Sequence, residues 1–306
     1  MSRGAVGLWT AGIARGFFVG AADLVPGVSG ATVAIILGIY ERLVAAIRGF
    51  DLAFVARLAR LNLPAAARGI DTGFLLPLAV GIALAAVFFT RVVPIAELME
   101  TRRLLVQSFF FGLVAGALVV LVREAWRGRA IRLRDVAAAT GGIAAGWGVA
   151  VVVPASTPDA AWFVFAAGAC AAGAMILPGI SGAYVLVLLK KYTYVLVALG
   201  RLDLAVLVPF GLGVVAGLAL LSRALGWLLG RFRHPTLFAL AGLVAGSLWS
   251  LWPYRVAAGR NMVPAWPDAF DSASVLLAAG GAAAVAALHL ASRCRDQRNP
   301  ASRPRA

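Results

Sequence analysis

Apolar stretches of about 20 residues, long enough to cross a ~30 Å hydrocarbon layer, recur along the whole chain and decide what it can fold into. Charged residues make up 13% of the sequence, against about 25% in an ordinary soluble domain. The bilayer is therefore the solvent of this chain. Its net charge of +15 is carried by short loops between the apolar runs, a distribution that orients a membrane protein. Nucleic acid is not expected as a partner. Cys170 lies in an apolar segment and Cys294 in a polar tail, so no disulfide is expected. His234 and His289 stand alone, the sequence holds no metal-ligand cluster, and no cofactor is expected. The run from Gly7 to Ala22 could pass for a signal-peptide core, but Arg15 interrupts it and a related segment recurs in mid-chain.

That recurrence fixes the organisation. Pro26-Gly27-Val28-Ser29-Gly30-Ala31 returns as Pro178-Gly179-Ile180-Ser181-Gly182-Ala183. Tyr40 then matches Tyr192, Asp51-Leu52-Ala53 matches Asp203-Leu204-Ala205, and Gly112-Leu113-Val114-Ala115-Gly116 matches Gly242-Leu243-Val244-Ala245-Gly246. Gly141-Gly142 echoes Gly280-Gly281. Matches in one order through a whole chain mark an internal duplication.

The expected fold is an all-α integral membrane protein of two inverted-topology repeats, each a re-entrant helical hairpin plus three transmembrane helices. The first repeat, 1–153, holds a hairpin over 8–47 (arms 8–24 and 29–47) and spans at 74–93, 105–122 and 135–153. The second, 154–306, holds a hairpin over 160–199 (arms 160–176 and 181–199) and spans at 204–229, 236–252 and 272–291. Proline removes a helix donor and glycine adds freedom. In lipid such a break survives only where it is buried in protein or lines a cavity, hence the re-entrant reading. A hairpin plus three spans is an odd number of crossings, so the second half must be inverted.

Arginine distribution agrees with that inversion. Arg42, Arg48, Arg57, Arg60 and Arg68 fall on one side with Arg123, Arg127, Arg129, Arg132 and Arg134, with Arg231 and Arg233, and with the C-terminal arginines. The opposite side holds Arg91, Arg102, Arg103, Lys190, Lys191, Arg201, Arg255 and Arg260. The richer side is cytoplasmic, which puts both termini in the cytoplasm. The first half carries an insertion around Asp51 to Asp71. There Phe54, Val55, Leu58 and Leu61 fit either a short helix on the membrane surface or a plain linker.

Inverted repeats with broken helices near the midplane are a transporter design, in which half-helix N-termini receive anionic groups. Two opposed N-termini supply roughly one positive charge between them, and Arg15 would add a second as a bidentate phosphate partner. A phosphomonoester carries about −1.5 to −2, so the charges match. Ser29 and Ser181 can cap their helices or donate to a ligand. Arg15 and Asp23 are ionisable residues in an apolar run and functional candidates on that ground. For Asp23 two roles stand open: proton coupling, or pairing with an arginine to hold the tip. Met175 occupies the matching place in the second half. Glu41 fits a salt bridge at the cytoplasmic end of its arm, with coupling or gating as the alternative. Lys190 and Lys191, at the outer end of the other arm, could attract anionic headgroups.

The run Gly20-Ala21-Ala22-Asp23-Leu24-Val25-Pro26-Gly27-Val28-Ser29-Gly30-Ala31-Thr32, continuing to Gly38-Ile39-Tyr40-Glu41, resembles the signature of the PopT family of polyprenyl-phosphate (undecaprenyl-phosphate) translocases. Met175-Ile176-Leu177-Pro178-Gly179-Ile180-Ser181-Gly182 is similar to that family's second motif. Ala31 and Lys190 depart from the pattern, each standing where the family tends to have glycine. The resemblance implies a transporter, not an enzyme, that returns a polyprenyl phosphate lipid across a bacterial or archaeal cytoplasmic membrane for lipid-carrier recycling. The candidate headgroup site comprises Arg15, Asp23, Pro26, Gly27, Ser29, Gly30, Thr32, Pro178, Gly179, Ser181 and Gly182. The oligomeric state, chain length and coupling ion are left open.

Two rivals share the architecture. A polyprenyl-pyrophosphate phosphatase needs an Arg beside the serine and a Glu-x-x-x-Glu metal pair, whereas Gly30 and Gly182 follow the serines here. A small-anion channel or permease would use the same helix ends along a polar path.

Overall fold

Long apolar runs satisfy their own backbone hydrogen bonds as helices, and helices take up most of the computed structural model. It describes residues 3–24, 28–50, 54, 57, 60–93, 95–126, 128, 130–152, 157–258 and 261–298. In chain order the first half contains α1 (Arg3–Asp23), α2 (Gly30–Ile36), α3 (Tyr40–Arg48), α4 (Leu63–Arg68), α5 (Thr72–Arg91), α6 (Ile95–Thr101), α7 (Arg103–Trp126) and α8 (Leu133–Val151). The second half contains α9 (Ala161–Ile176), α10 (Gly182–Leu188), α11 (Tyr192–Arg201), α12 (Leu204–Arg231), α13 (Arg233–Leu251) and α14 (Ser272–Arg298). Helices α5, α7, α12, α13 and α14 are each long and apolar enough to cross a membrane. The chain is a multi-pass, helical membrane protein. One small amendment to the all-α expectation is an antiparallel ribbon in the loop before α14. There β1 (Arg255–Ala258) and β2 (Asn261–Pro264) pair Val256 with Val263.

Glycine sets the helix pairing. Helix α8 lies along α13, with Gly142 and Gly146 facing Gly242 and Gly246 across the contact. A methyl group added at Gly142 would lie 2.1 Å from the Ala239 carbonyl oxygen, and one at Gly242 would lie 2.1 Å from that of Ala139. Backbone rests on backbone, as small residues four apart permit in lipid. The contacts advance in the same sense along both helices, so the two run parallel. Helix α7 pairs with α14 in the same way through Gly112 against Ala278 and Gly116 against Ala282. Helix α1 lies along α5, with Gly16 at Leu78 and Gly20 at Ile82, and α9 lies along α12, with Gly213 at Phe165 and Gly217 at Ala169.

Helices α5 and α12 begin alike. Asp71 accepts from the Phe74 amide at 3.2 Å and Asp203 from the Ala205 amide at 3.0 Å. Pro77 and Pro209 follow at the same depth inside each helix. The aspartate that caps the first-half helix is thus Asp71. Asp51, which the sequence pairs with Asp203, lies outside the described residues. So do Val55 and Leu58 of the expected surface helix, while exposed Leu61 takes φ 53°.

The expected arms 29–47 and 181–199 each divide in two. In the first, the chain turns between α2 and α3 at Gly38, φ 67°. In the second, α10 and α11 are bent by 104° around Lys190, φ 51°. The sequence reading shows a single break per hairpin, at the Pro-Gly; the structure adds this second one.

Candidate functional site

The loop ending α1 and the loop ending α9 come together. The Ser29 hydroxyl donates to the Leu177 carbonyl at 3.3 Å, and the Gly179 amide donates to the Thr32 hydroxyl at 3.0 Å. The Tyr40 hydroxyl donates to the Ile176 carbonyl at 3.0 Å. Ser29 and Thr32 are each 1% exposed. A helix that stops inside apolar surroundings leaves carbonyls without partners; here Ile176 and Leu177, at the end of α9, find theirs on the other half of the chain. Gly179 reaches Thr32 with φ 85°, and a methyl group on it would lie 2.8 Å from Ser247 Oγ and 2.9 Å from Val244 Cα of α13. Only glycine combines that backbone conformation with that clearance. Pro178 beside it is buried. Pro26 and Gly27 lie outside the described residues.

The two starting ends differ. At α2 the Gly30 amide donates to Asp23 Oδ1 at 2.6 Å, a short, charge-assisted bond. A methyl group at Gly30 would lie 2.5 Å from Asp23 Oδ2, so glycine is what lets the carboxylate sit there. Ser29, the N-cap residue, makes no cap bond of its own. At α10 the Ser181 hydroxyl accepts from the Tyr184 amide at 3.5 Å, and Met175 packs at Gly182 where Asp23 packs at Gly30. One helix start therefore already holds an intramolecular anion, and the other, among the described residues, has no carboxylate. Of the two roles open for Asp23, its contact is with a backbone amide.

Arg15 is half-buried on α1. It precedes Asp23 by two turns, about 12 Å of helix rise, and so stands below the tip. Glu41 opens α3 and accepts from Arg233 Nη2 at 2.8 Å and Nε at 3.2 Å; the same Nη2 reaches Glu124 at 3.3 Å. That network ties the first-half arm to α13 and α7 and answers the expected salt bridge.

Lys190 is exposed, whereas Lys191 is 2% exposed, pairs with Asp159 and donates to the Thr157 carbonyl at 3.2 Å. Its ammonium lies 5.0 Å from the Tyr194 ring centre. Lys191 is a clamp, and the expectation that it attracts headgroups at the surface does not hold. Sequence reasoning also missed Tyr40 as a cross-link, although its match with Tyr192 marks the position.

No solved structure matches the chain. A polyprenyl-phosphate transporter of Vibrio cholerae serotype O1 is 36% identical over 245 residues, covering 79% of this chain and 77% of that protein. A polyprenyl-phosphate transporter of Staphylococcus aureus is 28% identical over 260 residues, covering 79% and 85%. Residues 19–263, which contain both helix breaks and the contacts between them, match the VCA0040-like family, described as undecaprenyl phosphate translocase-like, and the chain belongs to that family.

Proposed function

We propose that this chain translocates a polyprenyl phosphate, of the undecaprenyl phosphate class, across the cytoplasmic membrane for reuse of the lipid carrier. Its phosphate headgroup is received where the two helix breaks meet. The observation that carries this reading is the contact of the Ser29–Thr32 segment with the Ile176–Gly179 segment. Two interrupted helices joined inside the apolar layer create polar surface where lipid tails offer none. The second tip, which among the described residues holds no carboxylate, is the better receptor for an anion; Ser181 and Gly182 hold the headgroup there. At the first tip Asp23 occupies the Gly30 amide, so Asp23 must turn aside if Gly30 is to contribute. Arg15, lower on α1, meets the phosphate on its way in or out. Pro26, Gly27, Pro178 and Gly179 shape the two turns.

The halves 1–153 and 154–306 are read as inverted repeats. Support comes from the parallel pairs. Short connections make α5, α7 and α8 alternate in direction, and likewise α12, α13 and α14. With α8 parallel to α13 and α7 parallel to α14, each second-half helix points opposite to its first-half counterpart. Both termini are cytoplasmic on the arginine bias. The reading involves no covalent chemistry, so the protein is a transporter and not an enzyme.

The test is a leaflet-resolved assay of labelled undecaprenyl phosphate in proteoliposomes holding the purified chain. Movement of the label that falls in Ser181→Ala and in Arg15→Ala is expected. Release of phosphate from a pyrophosphorylated lipid would instead establish a phosphatase. Inorganic anion flux indifferent to the lipid would establish a channel.

A further inference from the structure

Positive charge gathers at the end of α13. Arg255, the first residue of β1, is half-buried. It donates from Nε to the Trp252 carbonyl at 3.2 Å and from Nη2 to the Ser250 carbonyl. Helix α7 packs antiparallel to α13, with Phe111 of α7 against Trp252, so the start of α7, which carries Arg103, lies at the same end as Arg255. Burial, and after it the repulsion of Arg103, hold the Arg255 guanidinium below its ordinary value, with Tyr184 opposing them. Among the described residues neither arginine forms an ion pair. Tyr184 belongs to α10, two residues beyond Gly182. That arm is the one whose start, among the described residues, lacks a carboxylate.

Aromatic rings frame the place. Trp252 meets Trp266 edge-on with centroids 5.0 Å apart and Phe111 at 5.4 Å, and Tyr254 meets Phe270 at 5.4 Å. The Trp252 indole donates to the Ala265 carbonyl at 2.8 Å. The Tyr254 hydroxyl bonds Ser274 and accepts from the Asp271 amide at 3.1 Å. The lip is thus pinned to α14, while Trp266 is 79% exposed. Exposed, amphipathic rings of this kind sit at the boundary between hydrocarbon and water. Two guanidiniums at one end of the bundle, at such a boundary, repel one another, and an anion between them relieves that repulsion. A phosphate monoester, with about −1.5 to −2 charges and three acceptor oxygens, fits two such donors.

Resting on the lipid-phosphate reading above, we infer that Arg103 and Arg255, framed by Trp252, Tyr254, Trp266 and Phe270, form a recruitment site for a phosphate monoester at the membrane surface. From there the group passes along α10, past Tyr184, to Ser181 and Gly182. Its function is capture, separate from the meeting of the tips.

Arg255 also holds two carbonyls at the end of α13, so its removal loosens local structure, and Arg103 carries the test. Proteoliposomes of the full chain are given labelled undecaprenyl phosphate from the face that bears Arg103, over a range of lipid and salt concentrations. Arg103→Gln is expected to raise the lipid concentration for half-maximal uptake about tenfold, one lost charged contact, with the maximal rate kept. It is also expected to flatten the salt dependence, and Arg103→Lys to restore a good part of both. Millimolar inorganic phosphate is added in parallel. If it competes in the wild type and not in Arg103→Gln, the site takes free phosphate as well; if it does not compete, the site requires the lipid-borne group. Unchanged half-saturation and salt dependence in Arg103→Gln, with a wild type that translocates, overturns the inference alone. A wild type that moves no lipid overturns the reading beneath it.

Discussion

The two helix breaks carry almost the same residues yet are held by different means. At the first, Asp23 closes the start of α2 and the serine is released to reach the other half of the chain. At the second, Ser181 closes its own helix with a 3.5 Å bond and Met175 stands where the aspartate would. The two turns are alike in sequence; one difference, Asp23 against Met175, fastens the first start, while the second, among the described residues, has no carboxylate. On the function proposed above, a single carboxylate separates a structural end from a receptive one.

The comparison can be broken most sharply at Gly179. Gly179→Ala places a side chain at φ 85° against Val244 and Ser247, and the left-handed backbone together with overpacking is expected to cost about 3 kcal/mol or more. Thermal unfolding in detergent measures this, and an unshifted midpoint would show that the turn is not held as described. Thr32→Val removes the acceptor for the Gly179 amide and leaves a buried donor unpaired, at about 1–3 kcal/mol. Ser181→Ala, losing a longer bond on a more accessible residue, is expected to cost less than Thr32→Val in the same melts. Equal losses would erase the distinction between the tips.

Met175→Asp sharpens the comparison from the other direction. It offers Gly182 the anion that Gly30 already has. Lipid phosphate binding is expected to fall about tenfold, since a new carboxylate near the site repels the headgroup by more than 1 kcal/mol at an effective dielectric of about 20. Binding of labelled lipid to the purified variant decides it, and unchanged affinity would mean that the headgroup does not use the second tip. The smallest effect is expected at Lys190→Gly. Relief of a left-handed non-glycine residue, partly offset by glycine's greater freedom when unfolded, stabilises by about 0.5–1 kcal/mol. A lowered melting temperature would contradict it.

Much of this was legible in the residues. Apolar run length gave the membrane class, and the doubled Pro-Gly-x-Ser-Gly gave the two breaks, because a proline and two glycines leave a mark that composition cannot hide. What stayed illegible has physical causes. Lys190 bends its arm in a conformation for which lysine carries no signature, so the second break in that arm went unread. Lys191 looks like a surface charge in sequence, but Asp159 and two aromatic rings enclose it. The bonds from Ser29, Thr32 and Tyr40 to Leu177, Gly179 and Ile176 join residues from opposite halves, and no local pattern records a contact made across such a separation. For Asp23 the sequence left proton coupling and an arginine partner open, and no pattern announced its bond to the Gly30 amide.

The glycine-on-backbone contacts of α8 with α13 and of α7 with α14 have a mechanical corollary. Each joins one half of the chain to the other, backbone against backbone at these glycines. Rocking one half as a block against its counterpart would have to prise both seams apart. The seams thus resist sliding like a fixed keel, and the translocation proposed above would leave its motion to the short arms, which turn at Gly38 and Lys190.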